Sequence, residues 1–204
     1  HQHARVGGIL GGSTYGVAKQ ARLIAVRVLD CNGSGSDSGV IAGIDWAIRH
    51  HTTRPAVANL SLGGSASQAL DTAVANLVRD KVTVAVAAGN ESSNACSASP
   101  ARVASALTVA ASDSGDALAS YSNGGSCVDL IAPGSGILSA SRSSDTASIS
   151  MSGTSMASPH VAGAAARYLQ AHPTATPATV SAALASAATK GQISNTEAHC
   201  TLLV

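Results

Sequence analysis

The residues best suited to covalent chemistry lie in the string Ser152-Gly153-Thr154-Ser155-Met156-Ala157-Ser158-Pro159-His160. A glycine-led turn there delivers Ser155 onto the first turn of an Ala-rich helix. A hydroxyl so placed benefits twice. The helix macrodipole favours negative charge at that end, and the amide of Ser155 can donate to a developing oxyanion. By position alone, an ordinary Ser/Thr N-cap accounts for it equally well. A second candidate is Asn90, in Val86-Ala87-Ala88-Gly89-Asn90-Glu91. It follows an apolar strand, from whose carboxyl end a side-chain amide can point into a crevice. Read alone, an Asn after Gly is a turn residue.

The elements that must position these groups alternate in type. Leu23–Leu29, Ala56–Leu60, Val82–Ala87, Leu107–Ala110 and Val128–Ile131 read as strands. Val40–His50, Gln68–Arg79, Ser155–Ala171 and Pro177–Ala188 read as helices by their apolar spacing. Near-continuous apolar strands between helices predict an α/β fold with a mostly parallel sheet covered on both faces. Ligands of such sheets sit at the carboxyl ends of the strands, here Asp30–Ser36, Ser61–Gly64 and Ala87–Glu91. Gly134–Ser150 is loop-like in composition but too short to separate domains, so the 204 residues form one domain. With Phe absent and charged residues at 11%, the core must be closely packed Ala, Val, Leu and Ile. A net charge of +1 argues against nucleic-acid binding, and no apolar run is long enough to cross a membrane. Gly7-Gly8-Ile9-Leu10-Gly11-Gly12 lacks the preceding strand of a nucleotide-binding loop and reads as helix-packing glycine.

Cys31, Cys96, Cys127 and Cys200 show neither a C-x-x-C pair nor zinc spacing. An even number in a low-charge, Ser-rich chain points to disulfides and an oxidising compartment. Buried free thiols are the alternative.

The nine-residue string around Ser155 resembles the nucleophile motif of the subtilisin-like serine peptidases (family S8). Agreement runs from about Val6 to near Ile193 and is best with the proteinase K-like branch and its secreted, aqualysin-like bacterial members. Tyr15-Gly16-Val17-Ala18-Lys19, Val26-Arg27-Val28-Leu29-Asp30 and Ala132-Pro133-Gly134 support it. The G-T-S-M-A sequence is not the G-x-S-x-G elbow of another serine hydrolase class. The resemblance implies a three-layer subtilisin-like fold and endopeptidase activity, with Ser155 as nucleophile and Asn90 in the oxyanion hole. It further implies an extended protein or peptide substrate pairing by β-augmentation with Gly33, Ser34, Gly35, Ser61, Leu62 and Gly63, where glycine leaves room for the incoming backbone. Ala87, Ala88 and Gly89 would wall the pocket for the residue before the scissile bond. A Cys96–Cys127 disulfide is implied, with Cys31 lacking its partner and Cys200 without an obvious role. So is structural calcium at Asp129 with the backbone carbonyls near Ala104 and Ala106, a hard oxygen set, although Asp129 could equally be a surface strand end. A secreted, extracellular monomer is expected, with no catalytic cofactor.

The chain departs from the family at its start. Alignment on Gly11-Gly12 puts Arg5 at the triad histidine, and no triad aspartate is found. Residues 1–204 are therefore expected to be a partial catalytic domain lacking its N-terminal strand and helix, with 1–5 an aberrant N-terminus. Read out of frame, codons for Gly-Thr-His-Val give His-Ala-Arg, as at His3-Ala4-Arg5. The Glu197–Val204 ending also drifts from the family. A guanidinium stays protonated and cannot act as a base. His1 and His3 lack an orienting carboxylate, His160 is expected to pack or bond within its helix, and His50, His51, His172 and His199 read as surface or helix-end residues. Loss of the triad histidine costs roughly 10⁶ in kcat, a figure belonging to subtilisin, a member of this same family. The chain as it stands is expected to be nearly inactive. The alternative is a pseudo-peptidase serving as a peptide-binding or inhibitory module, against which the retained Ser155 and Asn90 weigh.

Overall fold

The computed structural model describes residues 2–141, 143, 144 and 146–195. His1, His199, Cys200 and the Glu197–Val204 ending lie outside the described residues. The elements run α1 (Gln2–Gly11), α2 (Asp37–His50), β1 (Val57–Leu60), β2 (Gly64–Ser65), α3 (Gln68–Arg79), β3 (Thr83–Ala87), β4 (Ala98–Ser99), β5 (Leu107–Ser112), β6 (Leu130–Pro133), β7 (Ile137–Ala140), β8 (Ser148–Met151), α4 (Thr154–Ala171) and α5 (Pro177–Ala187). The main sheet is parallel, in the order β1-β3-β5-β6. β2 pairs antiparallel with β4, and β7 with β8.

Strand periodicity divides the sheet into two faces. Ala85, Val109, Ala111, Leu130 and Ala132 face α4 and α5, packing with Ala157, Val161, Ala162, Ala165, Leu169, Val180 and Leu184. Val84 and Val86 face α2 and α3, meeting Ile44, Leu70, Val74 and Leu77. The result is the three-layer α/β arrangement that the alternation of elements predicts. Alanine on both sides of the α4 interface lets that helix lie close to the sheet, so the core closes without phenylalanine. On the other face, Val74 and Leu77 are fully buried. Each such aliphatic side chain contributes roughly 1.5–3 kcal/mol through burial.

Two expectations change. Leu23–Leu29 forms no strand. A strand needs a hydrogen-bonded neighbour, and none of the described residues pairs with it beyond the β1 edge. Leu23 and Ile24 consequently remain 47% and 58% exposed, while Val26 and Val28 rest against Gly43 of α2. Gly134–Ser150, loop-like in composition, supplies β7 and most of the β8 hairpin partner. This hairpin supports α1: Ser139 Oγ donates to the Arg5 carbonyl at 2.7 Å, and Gly8 lies against Ser139 and Ala140. The glycines of α1 thus pack, as expected. No helix among the described residues is long and apolar enough to cross a membrane.

Candidate active site

The carboxyl ends of the neighbouring parallel strands β1 and β3 meet the amino end of α4. Ser61 follows β1, Asn90 follows β3, and Ser155 is the second residue of α4. Gly153 caps that helix at φ +149°, a conformation open to glycine and strained for other residues. The turn therefore has to be glycine for Ser155 to emerge where it does.

Two sets of hydrogen bonds fix the pair. The first holds Asn90. Its Oδ1 accepts from the Thr154 backbone N–H at 2.8 Å and from Thr154 Oγ1 at 3.0 Å. Since the backbone N–H can only donate, the atom facing it must be the amide oxygen. The Nδ2 donor is thereby directed away from Thr154, on an exposed side chain. Thr154, itself fully buried, also accepts the Gly89 N–H at 3.1 Å through Oγ1.

The second set holds Ser155. Pro159 has no N–H, so the Ser155 carbonyl lacks the donor that an unbroken helix would supply from four residues on. Ser61 Oγ takes that place, donating to the Ser155 carbonyl at 2.8 Å. Ser155 Oγ donates back to the Ser61 carbonyl at 3.3 Å. Behind Ser61, Asn59 Nδ2 donates to Ser61 Oγ at 2.9 Å, and Asn59 Oδ1 accepts from Ser158 Oγ at 2.7 Å. A polar chain thus runs from Ser158, which is 0% exposed, through β1 to the Ser155 backbone. Sequence reading missed Asn59, Ser158 and the Thr154 hydroxyl. The one available signal was Asn59 itself, a polar residue within an apolar strand that must find partners when buried.

The other predicted residues fall as follows. Gly33, Ser34 and Gly35 lie exposed in the turn before α2, where Asp30 Oδ1 accepts from Asn32 and Ser34 N–H. Ser61, Leu62 and Gly63 continue from β1 beside α4. Ala87 and Ala88 are buried, and Gly89 is half-buried. Arg5 sits in α1 with Nη1 donating to Met151 Sδ at 3.0 Å, and its Nε is buried without a partner. The Nδ1–H of His160 donates to the Met156 carbonyl at 2.8 Å, the intrahelical role expected of it, and burial holds its pKa below the usual imidazole value. His50 and His172 end α2 and α4.

Cys96 and Cys127 form a disulfide, while Cys31 is an exposed free thiol. Asp129 precedes β6, and its Oδ2 accepts the Thr108 N–H at 2.8 Å, beside the segment that carries Ala104 and Ala106. Burial raises the Asp129 pKa, opposed by that hydrogen bond. Among the described residues there is no cluster of three or more His, Cys, Asp or Glu able to hold a metal.

Residues 3–200 match the Subtilase family, peptidase family S8. The chain is 59% identical over 190 residues to the extracellular serine proteinase of Thermus sp. (strain Rt41A), covering 93% of this chain and 46% of that protein. It is 52% identical over 191 residues to the alkaline serine exoprotease A of Vibrio alginolyticus, covering 94% and 35%. The fold superposes on the crystal structure of a cold adapted subtilisin-like serine proteinase with a TM-score of 0.95 at 48% identity, covering 99% of this chain and 73% of that one. The chain spans about half or less of the length of these curated relatives.

Proposed function

The chain belongs to the subtilase family of serine peptidases, and on that footing we propose that it supplies the nucleophile and the oxyanion half of a serine endopeptidase site. The observation that carries this reading is the lock between Asn90 and Thr154, which fixes an amide donor one residue away from Ser155. In the reaction, Ser155 Oγ attacks the carbonyl carbon of a peptide bond. Its proton passes to an imidazole base, and the carbonyl oxygen becomes an oxyanion. Asn90 Nδ2 and the Ser155 N–H donate to that oxygen, which collapses to expel the amine as the base returns the proton. An extended substrate would lie along the Gly33–Gly35 and Ser61–Gly63 edges, with the small residues Ala87, Ala88 and Gly89 beside the residue before the scissile bond.

Arg5 stands at the position given to the histidine, and a guanidinium is not a general base for a serine hydroxyl. We therefore assign this chain alone little peptidase activity. Joining it to a segment bearing the triad Asp and His should produce hydrolysis of a denatured protein substrate, abolished by Ser155→Ala. The second reading, a peptide-binding module, rests on Arg5 standing where a general base is needed. It would gain if the extended protein stayed inert while the chain bound extended peptides.

Secretion is part of the proposal. It is supported by a relative named as extracellular and by the Cys96–Cys127 disulfide, which persists in oxidising compartments. Calcium at Asp129 with the Ala104 and Ala106 carbonyls would favour the ionised carboxylate and tie β5 to β6. Chelation should lower the melting temperature of the parent and leave that of Asp129→Asn unchanged.

A further inference from the structure

Asn123 is fully buried at 0% exposure, and every polar atom of its side chain is spent on the loop that carries Asn90. Its Nδ2 donates to the Ala88 carbonyl at 2.9 Å and to Glu91 Oε2 at 2.8 Å. Its Oδ1 accepts from Glu91 N–H at 3.0 Å, Ser93 N–H at 3.0 Å and Ser93 Oγ at 3.2 Å. Its own backbone N–H donates to the Gly89 carbonyl at 3.0 Å. These partners lie on both sides of Asn90. The Asn90 N–H donates to the same Glu91 Oε2 that Asn123 holds, at 2.9 Å. Gly89, at φ +107°, passes so close that a Cβ there would collide with Asn123 Nδ2.

We propose that Asn123 is a positioning residue for the oxyanion hole: it shapes the 88–93 loop so that Asn90 Nδ2 is already aimed when the substrate arrives. This rests on the reading of Asn90 as an oxyanion donor. An amide has two N–H donors and one carbonyl acceptor, and this loop uses all of them. Aspartate has the same shape but has lost both donors, and its charge would face the Glu91 carboxylate. A preaimed donor needs no reorganisation during reaction, and a misplacement of about 1 Å at a reacting group can cost on the order of 10²-fold. The sensitivity should therefore fall on kcat.

The test is a double-mutant cycle of Asn123→Ser with Asn90→Ala, in the chain joined to a segment bearing the triad Asp and His. Asn123→Ser should lower kcat about 10- to 100-fold, with KM within about threefold of the parent. Added to Asn90→Ala, it should cost little more, because the donor it aims is gone. Asn123→Asp, an isostere, should recover kcat relative to the parent as pH falls, since protonation returns one donor. In the chain alone, amides 89–93 should exchange faster in Asn123→Ser while those of β5 and α4 do not. Equal kcat losses on both backgrounds would overturn the proposal, as would a normal kcat in Asn123→Ser when Asn90→Ala is impaired. A normal kcat in Asn90→Ala alone would instead contradict the underlying oxyanion reading.

Discussion

Thr154 gives both its backbone N–H and its hydroxyl to the side-chain oxygen of Asn90, at 2.8 and 3.0 Å. Through this one residue, the loop after β3 is fastened to the helix that carries Ser155. The same hydroxyl accepts the Gly89 N–H, so its removal affects Asn90 and the residue before it. We predict that, in the chain joined to a segment bearing the triad Asp and His, Thr154→Val lowers kcat with little change in KM, whereas Thr154→Ser retains most of it. The ceiling is the loss of the donor itself, about 10²–10³-fold, a magnitude that belongs to the corresponding asparagine of subtilisin, a member of this family. Steady-state kinetics on a peptide substrate checks it.

Pro159 and Ser61 make a second linked pair. Ser61→Ala leaves the Ser155 carbonyl without the donor that Pro159 cannot supply. Loss of one such hydrogen bond costs about 0.5–1.5 kcal/mol. Adding Pro159→Ala provides a helical N–H, so the double variant should regain part of that loss. Urea melts of the four proteins decide the matter, and additive effects would break the link.

The Cys96–Cys127 disulfide closes a separation of 31 residues, worth about 3–4 kcal/mol by loop-closure entropy. It also clamps the segment that follows the 88–93 loop, where Ala95 N–H bonds the Gly124 carbonyl. Reduction, or replacement of both cysteines by alanine, should lower the melting temperature and speed amide exchange between Ser92 and Ala95. A reduced protein with unchanged melting would contradict this.

Acid should act in two separate windows. Burial lowers the His160 pKa, so the folded chain takes up that proton less readily than the unfolded one. Stability is full above about pH 6.5 and falls as pH drops from there toward the lower folded value. Asp80 is held below the usual carboxylate range by its hydrogen bond to His51, with Arg54 adding to the effect. Its contribution is present above about pH 3.9 and is lost as pH falls through the folded value. Melting temperature against pH should show His160→Gln flattening the upper window only. Asp80→Asn should affect only the lower window, and more weakly, because the Asp80 side chain is 33% exposed and solvent screens its interactions.

Elements whose partners are repeated and local were legible in the sequence. Gln68–Arg79 was read to the residue as α3, because Leu70, Ala73, Val74 and Leu77 keep helical spacing. The turn that leads Ser155 into α4 was legible because its glycine, serine and helix are contiguous. Leu23–Leu29 was misread because apolar alternation states a preference for pairing but cannot supply the neighbour. The β7–β8 hairpin was obscured by serines whose small side chains serve loop and strand equally. Asn123, Asn59 and Ser158 escaped notice for a different reason. The side-chain partners of Asn123 and Ser158 lie 30 or more positions away in sequence, and Asn59 reaches Ser158 across 99, so a lone amide or hydroxyl carries no spacing to read.

The geometry of the site is tested most directly by a crystal structure of the extended protein with a peptide boronic acid. Boron should be bonded to Ser155 Oγ, with one boronate oxygen about 2.7–3.1 Å from both Asn90 Nδ2 and the Ser155 N–H. An adduct on another residue, or a boronate oxygen turned away from Asn90, would contradict the account.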